Sequence, residues 1–232
     1  MFRKKSYIPA LLMMIATSAS AANPDLVIDR TDQDKAELLH PSSSKKLKLD
    51  NVQDRDSDGI RTRSVFTVPE PPAVSGQNPD IVQEALRSYA CYDSVFGVAE
   101  VQDFKSFVNR SETNIFTKVR FRLIDDWSAR PGPKEQTFDL IVEGGEAEYK
   151  GEVVRINNPQ ASYVKGRRYV MIIGGNRSGA ADKKVFVGSP YLIKVLNDSI
   201  YPAPGWSPFK PGTSLDQARG LVGKALALKG CE

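Results

Sequence analysis

Residues 115–124 read Ile-Phe-Thr-Lys-Val-Arg-Phe-Arg-Leu-Ile. Every second side chain from Ile115 to Leu123 is apolar or Thr, and three of the side chains between them are cations. A period of two places these two sets on opposite faces of an extended chain. The pattern predicts a half-buried β-strand whose core face begins at Ile115.

Further strand-like segments lie on both sides of this one. Glycine-rich turns such as Gly144-Gly145 and Gly188-Ser189-Pro190 separate several of them. Gly97, inside one segment, is typical of a strand that bends or bulges. The chain is therefore predicted to be mainly β, with additional strands at Ser94–Val101, Gln136–Glu143, Glu152–Ile156, Arg168–Ile173, Lys183–Val187 and Tyr191–Leu196.

A helix is predicted at each end of this strand block. Asn78-Pro79-Asp80 combines a capping residue, a proline in the first position and an acid in the first turn, so a helix should run from here to about Ala90. Near the other end, Ser214 and Gln217 have the spacing of a capping box. Gly230 is a natural stop for that second helix.

Three regions differ in composition. Residues 1–21 contain a positive start, an apolar stretch and the small-residue site Ala19-Ser20-Ala21, which predict a secretory signal peptide and a periplasmic or secreted location of the Gram-negative type. Residues 22–77 are rich in Asp, Lys, Ser and Pro and are predicted to be a disordered linker. Residues 78–232 are predicted to form one domain.

The charge balance argues against nucleic acid as the partner. The chain has 32 basic and 28 acidic residues, and three of the basic ones lie within residues 1–21. Without them, 29 basic residues face 28 acidic ones. Proteins that bind nucleic acid usually carry a clear positive excess.

Two cysteines occur in the chain, Cys91 and Cys231. In an oxidising compartment the simplest outcome is one disulfide between them. Two free thiols, or a bridge to another molecule, are the alternatives.

Four segments together resemble a group of exported bacterial proteins with small OB-type barrels, distantly similar to the netrin module and the tissue inhibitors of metalloproteinases. They are Ser94–Val101, Asn114–Val119, Gly144-Gly145-Glu146 and Tyr163–Val170. The resemblance covers about residues 91–200 and implies a closed or nearly closed OB-like barrel without an assigned reaction. The inhibitors chelate zinc with a Cys at the mature N-terminus. Cys91 lies far inside this chain, which argues against that activity.

Candidate catalytic and metal sites are sparse. The single histidine, His40, lies in the predicted linker, so a histidine-based triad or zinc site in the barrel is not expected. Carboxylates that could serve a hydrolase are Asp125, Asp126, Glu143, Glu146, Glu148 and Glu152. Acids around a Gly-Gly turn are more often a solvated loop, so no catalytic residue and no cofactor is predicted.

An aspartate-rich segment matches the first half of a calcium-binding loop. Asp54, Asp56 and Asp58 supply oxygens at alternate positions, and Gly59 follows. The twelfth position is Val65 where such a loop needs an acid. The segment is therefore a weak calcium candidate, and an acidic tail is the better interpretation.

The best candidate for a ligand face is the second face of residues 115–124. Phe116, Lys118, Arg120 and Arg122 stand there at every second position, and an aromatic among cations suits an envelope polyanion. The alternative is a solvated face that protects a sheet edge. We expect an exported, non-enzymatic binding or envelope-associated module of unknown partner. A carboxylate-based hydrolase and a calcium-stabilised adhesion protein are the rival hypotheses.

Overall fold

The computed structural model describes residues 26–39, 47, 61–64, 78–129, 136–157, 163–174, 185–188, 190–203 and 206–231. The predicted signal peptide lies outside these residues. The helices are α1 (Arg30–Leu39), α2 (Pro79–Tyr92) and α3 (Leu215–Lys229). The strands are β1 (Arg61–Ser64), β2 (Val95–Val108), β3 (Ile115–Asp126), β4 (Thr137–Glu143), β5 (Gly145–Tyr149), β6 (Glu152–Asn157), β7 (Arg168–Ile173), β8 (Val185–Val187), β9 (Tyr191–Leu196), β10 (Ser199–Tyr201) and β11 (Thr213–Ser214).

The described strands form two sheets, which confirms the mainly β prediction. The larger sheet has the order β11-β10-β9-β7-β2-β3-β4-β8 and is antiparallel except where β8 runs parallel to β4. The smaller has the order β1-β6-β5. Each predicted strand overlaps an observed one, but β1, β5, β10 and β11 have no counterpart among the predicted strands.

The predicted closed barrel is not confirmed. Among the described strands, β11 and β8 stand at the two ends of the larger sheet. The segment that contains β8 and β9 nevertheless pairs with both outer strands of the four-strand region β7-β2-β3-β4. Its first part, β8, pairs with β4, and its second part, β9, pairs with β7.

Apolar clusters lie on both faces of the larger sheet. On one face, side chains of β2, β3, β4 and β7 pack together, including Val101, Phe121, Leu140 and Met171, and Tyr163 packs with them. On the other face α2 and α3 complete a second cluster around Phe96. Burial of each large apolar side chain contributes about 1.5–3 kcal/mol, so these clusters hold the sheet between its covering elements.

Both predicted helix signals are confirmed. Asn78 caps α2 by accepting the backbone N–H of Asp80, and the capping box of Ser214 and Gln217 is complete at the start of α3. Gly230 caps the end of α3 with φ 64°. α2 and α3 contact each other, which brings their C-terminal ends together.

The disulfide between Cys91 and Cys231 is confirmed. It joins residues 140 positions apart, with 5.4 Å between the Cα atoms. Arg87 Nη1 also donates to the carbonyl of Gly230 at 3.4 Å. The bridge therefore ties the end of α2 to the residue that follows α3. No helix among the described residues is long and apolar enough to cross a membrane.

Within residues 22–77, predicted as a linker, the structure describes residues 26–39, 47 and 61–64, which include α1 and β1. α1 contacts β4 and β8, β1 pairs in parallel with β6, and Leu47 is buried beside Ile115. The composition that indicated disorder misses these contacts because each depends on a surface supplied by residues after 78. The contacts of the folded unit therefore extend upstream of the predicted boundary at residue 78.

Candidate functional site

The predicted ligand face on β3 is not the exposed surface that its alternation indicated. Phe116 is fully buried and Lys118 is 6% exposed. The expected exposure fails at Phe116 and Lys118 because a second element covers this part of the strand. That element is α1, which lies outside the domain predicted from the sequence.

Apolar contacts seat α1 on the sheet. Ala36 is fully buried in a cluster with Phe107, Phe116 and Ile141. Ile28, Val185 and Val187 pack against the same cluster. We call the sheet side of this contact, made of Phe107, Phe116, Lys118, Ile141, Val185 and Val187, the docking face.

A buried ion pair lies in the middle of the contact. Lys118 Nζ donates to Asp32 Oδ2 at 2.7 Å and to the carbonyl of Val27 at 3.2 Å. Asp139 Oδ2 lies 3.5 Å from the same nitrogen. The side chains of Lys118 and Asp32 are 7% and 3% exposed. Charges removed from water are costly unless they are paired and hydrogen-bonded, so the position of α1 is tied to that of Lys118.

Asp32 also helps to start its own helix. The backbone N–H of Asp29 donates to Asp32, and the backbone N–H of Asp32 donates to Asp29, at 3.0 and 2.9 Å. The hydrogen bond from Asp32 lowers the pKa of Asp29. This reciprocal pair satisfies amide groups that the first turn of a helix leaves without partners. The carboxylate that binds Lys118 is thereby held in place by the local backbone.

The other two cations of the predicted ligand face, Arg120 and Arg122, form ion pairs within the sheet. Arg120 donates to Asp139 from Nε and Nη2, at 2.9 and 3.2 Å, and this hydrogen bonding raises the pKa of Arg120. Arg122 lies 3.4 Å from Glu100 on β2. Both arginines are therefore paired with carboxylates on neighbouring strands.

The turn between β2 and β3 holds the later part of α1. The backbone N–H and the hydroxyl of Ser111 donate to the two carboxylate oxygens of Glu37, at 2.7 and 2.8 Å. Asn109 is buried and organises the turn by accepting the N–H groups of Thr113 and Asn114. The recognition of α1 thus extends from Lys118 to the tip of the hairpin.

Three of the candidate catalytic carboxylates take part in separate interactions. Asp125 accepts from Trp127 and Arg219, Glu143 accepts from Asn114, and Glu146 pairs with Arg155. No group of three or more potential metal ligands occurs within the described ranges. The calcium candidates Asp54, Asp56 and Asp58, and His40, lie outside those ranges.

Sequence reasoning missed the residues on the α1 side of the contact. Asp32 follows Asp29 by three positions and Ala36 follows Asp32 by four, which is the pattern of a helix start with a small residue on the same face. This spacing is visible in the sequence, but the polar composition of the surrounding residues favoured disorder over a helix.

Comparisons with known proteins do not place the chain in a family. No family model matches it, and no significant match emerges among curated proteins or solved structures. The resemblance to OB-type barrels stays a prediction.

Proposed function

We propose that this chain is an exported, non-enzymatic binding module whose recognition surface is the docking face. The observation that carries the proposal is the buried Lys118, which donates to a carboxylate of α1, Asp32, and to the main-chain carbonyl of Val27 just before α1. A surface that seats one helix through apolar contacts and a directed ion pair has the chemistry of a helix-recognition site. Under this proposal, α1 is a segment of the same chain that occupies the docking face.

The pairing pattern supports an OB-like barrel as the scaffold of this module. The segment 185–196 pairs in parallel with β4 and then antiparallel with β7. Phe186 and Leu192 from its two parts pack on the same apolar cluster. On such a scaffold the outer side of β3 and β4 is a usual ligand position.

Export is supported by the disulfide, since disulfides persist in oxidising compartments. A binding role is favoured over hydrolysis because Asp125, Glu143 and Glu146 are each engaged in separate structural interactions. No observation on the described residues favours calcium-dependent adhesion, and the polyanion hypothesis loses its support with the burial of Lys118.

Site-specific photocrosslinking in the exporting cell tests the proposal. A photoreactive amino acid at Val185, a half-buried residue at the rim of the docking face, should crosslink to a second protein. The same group at Leu228, 65% exposed on α3, is the control and should not give that product. Crosslinks from Val185 to α1 alone, or equal products from both positions, contradict the proposal.

A further inference from the structure

We infer that the partner of the docking face presents a helix that begins with an acidic capping box, and that α1 competes with it for Lys118. This inference rests on the proposed function and names its ligand class. The contacts of α1 define what such a partner must supply.

The first requirement is set by Lys118. Its nitrogen donates to one carboxylate oxygen of Asp32 and to the main-chain carbonyl of Val27, five residues earlier. A carboxylate in the first turn of a helix and a carbonyl just before that turn offer both acceptors to one cation. An extended peptide or a mineral anion does not combine them in this arrangement.

The second requirement is a small residue one turn later. Ala36 follows Asp32 by four positions and is fully buried against Phe116 and Ile141. Residues four apart lie on the same face of a helix, so carboxylate and small residue reach the sheet together. A larger side chain at this position would hold the helix away from the sheet, because packed interiors have little spare volume.

A third contact fixes the direction of the helix. Ser111 donates its N–H and its hydroxyl to Glu37, at the hairpin tip. A partner helix therefore runs from Lys118 toward the turn between β2 and β3, with an acid directly after the small residue.

Competition follows because α1 and the partner helix use the same face, and α1 depends on its contacts there. It has ten residues, and a helix of that length is marginal without tertiary contacts. Its central ion pair gains little net energy once desolvation is included. A partner that binds the same face must displace α1, so its apparent affinity equals its intrinsic affinity multiplied by the fraction of molecules in which the face is open.

A labelled synthetic peptide of residues 24–39, added to the full chain, tests the inference by fluorescence anisotropy. Ala36→Arg in the chain should release α1 by overpacking and raise the affinity for the peptide by about tenfold or more. Adding Lys118→Met to that chain should remove binding. Asp34→Asn in the chain is the matched control, because Asp34 is 53% exposed and pairs only at the surface with Arg110.

Two peptide variants separate acidic-helix recognition from general charge attraction. Asp32→Asn in the peptide should weaken binding by about tenfold, since a buried charged partner is lost. Asp34→Asn should change affinity by less than about twofold. Equal loss with both peptides, or no binding of any peptide to the Ala36→Arg chain, overturns the inference. If Val185 still crosslinks to a second protein in the cell, the docking face remains the binding surface and only the ligand class is wrong.

Discussion

Lys118 on β3 and Asp32 on α1 form a 2.7 Å ion pair between residues 86 positions apart, and both side chains are less than a tenth exposed. This pair makes the N-terminal helix part of the structural unit. It also buries part of a strand face that the sequence indicates as exposed.

Replacing Asp32 with Ala should release α1 while leaving the sheet folded. When α1 leaves, Lys118 gains water, so the loss is limited to the docking energy of α1 and does not reach the full cost of an uncompensated buried charge. Hydrogen exchange should show loss of amide protection at residues 33–37, with protection of β2 and β3 unchanged. Asp34→Ala is the control and should keep the protection of α1. If global unfolding accompanies Asp32→Ala, then α1 is required for the core.

Breaking the disulfide should lower stability throughout the domain. The bridge spans 140 residues, for which the chain-entropy model allows up to about 5 kcal/mol, with measured bridges typically giving 2–4 kcal/mol. The double variant Cys91→Ser, Cys231→Ser should therefore show a clearly lower denaturant midpoint than the oxidised protein. Thiol counting on the denatured, unreduced wild-type protein should find no free thiol. An unchanged midpoint would show that α2 and α3 hold together without the bridge.

Asp93 should make stability fall as pH rises. Burial raises its pKa from 3.8 to about 6, so the folded state binds more protons than the unfolded state between these values. The contribution of this group to the free energy of unfolding is therefore higher at low pH than at neutral pH, and this advantage is lost as pH rises through about 6. Asp93→Asn should raise stability by about 1 kcal/mol at pH 7.5, after allowance for solvent screening, and by much less at pH 4. Equal effects at the two pH values would mean that the carboxyl does not titrate abnormally.

Removing the hydroxyl of Tyr163 should not destabilise the protein. This hydroxyl is buried and has no hydrogen-bond partner among the residues that the structure describes, and burial raises the pKa of the side chain. Tyr163→Phe should leave stability unchanged or raise it by about 1 kcal/mol, because the desolvation cost disappears. Tyr149→Phe is the matched control: its hydroxyl donates to Glu112 at 2.9 Å, so thermal unfolding should occur at a lower temperature. A loss with Tyr163→Phe as large as that control would indicate a hydrogen bond at Tyr163.

Gly97 should tolerate no side chain. A Cβ atom there would lie 2.0 Å from the backbone oxygen of Asp125 on the paired strand. Gly97→Ala should therefore cost about 3 kcal/mol or more, because backbone must move in the sheet centre. Gly220→Ala in α3 meets no atom within 4 Å and should instead stabilise the helix by up to about 1 kcal/mol. Denaturant unfolding of both variants tests the contrast, and similar midpoints would contradict it.

The elements that the sequence predicts well depend on neighbours a few positions away. The strand β3, the cap at Asn78 and the capping box at Ser214 are each predicted from local patterns, and each is present in the structure. The two-residue strand β11 is too short to produce a period, and β5 begins at Gly145, where φ is 124°. Such segments become strands because a paired neighbour supplies their hydrogen bonds.

The sequence by itself determined the mainly β class and both helices that flank the strands, and it predicted the disulfide between the two cysteines. It also identified the face of β3 with Phe116 and Lys118 as the most informative surface. Only the tertiary structure decided that this face is covered, since Lys118 is buried by a helix 86 residues away. Local periodicity reports which side chains share a face, whereas burial depends on which distant segment occupies that face.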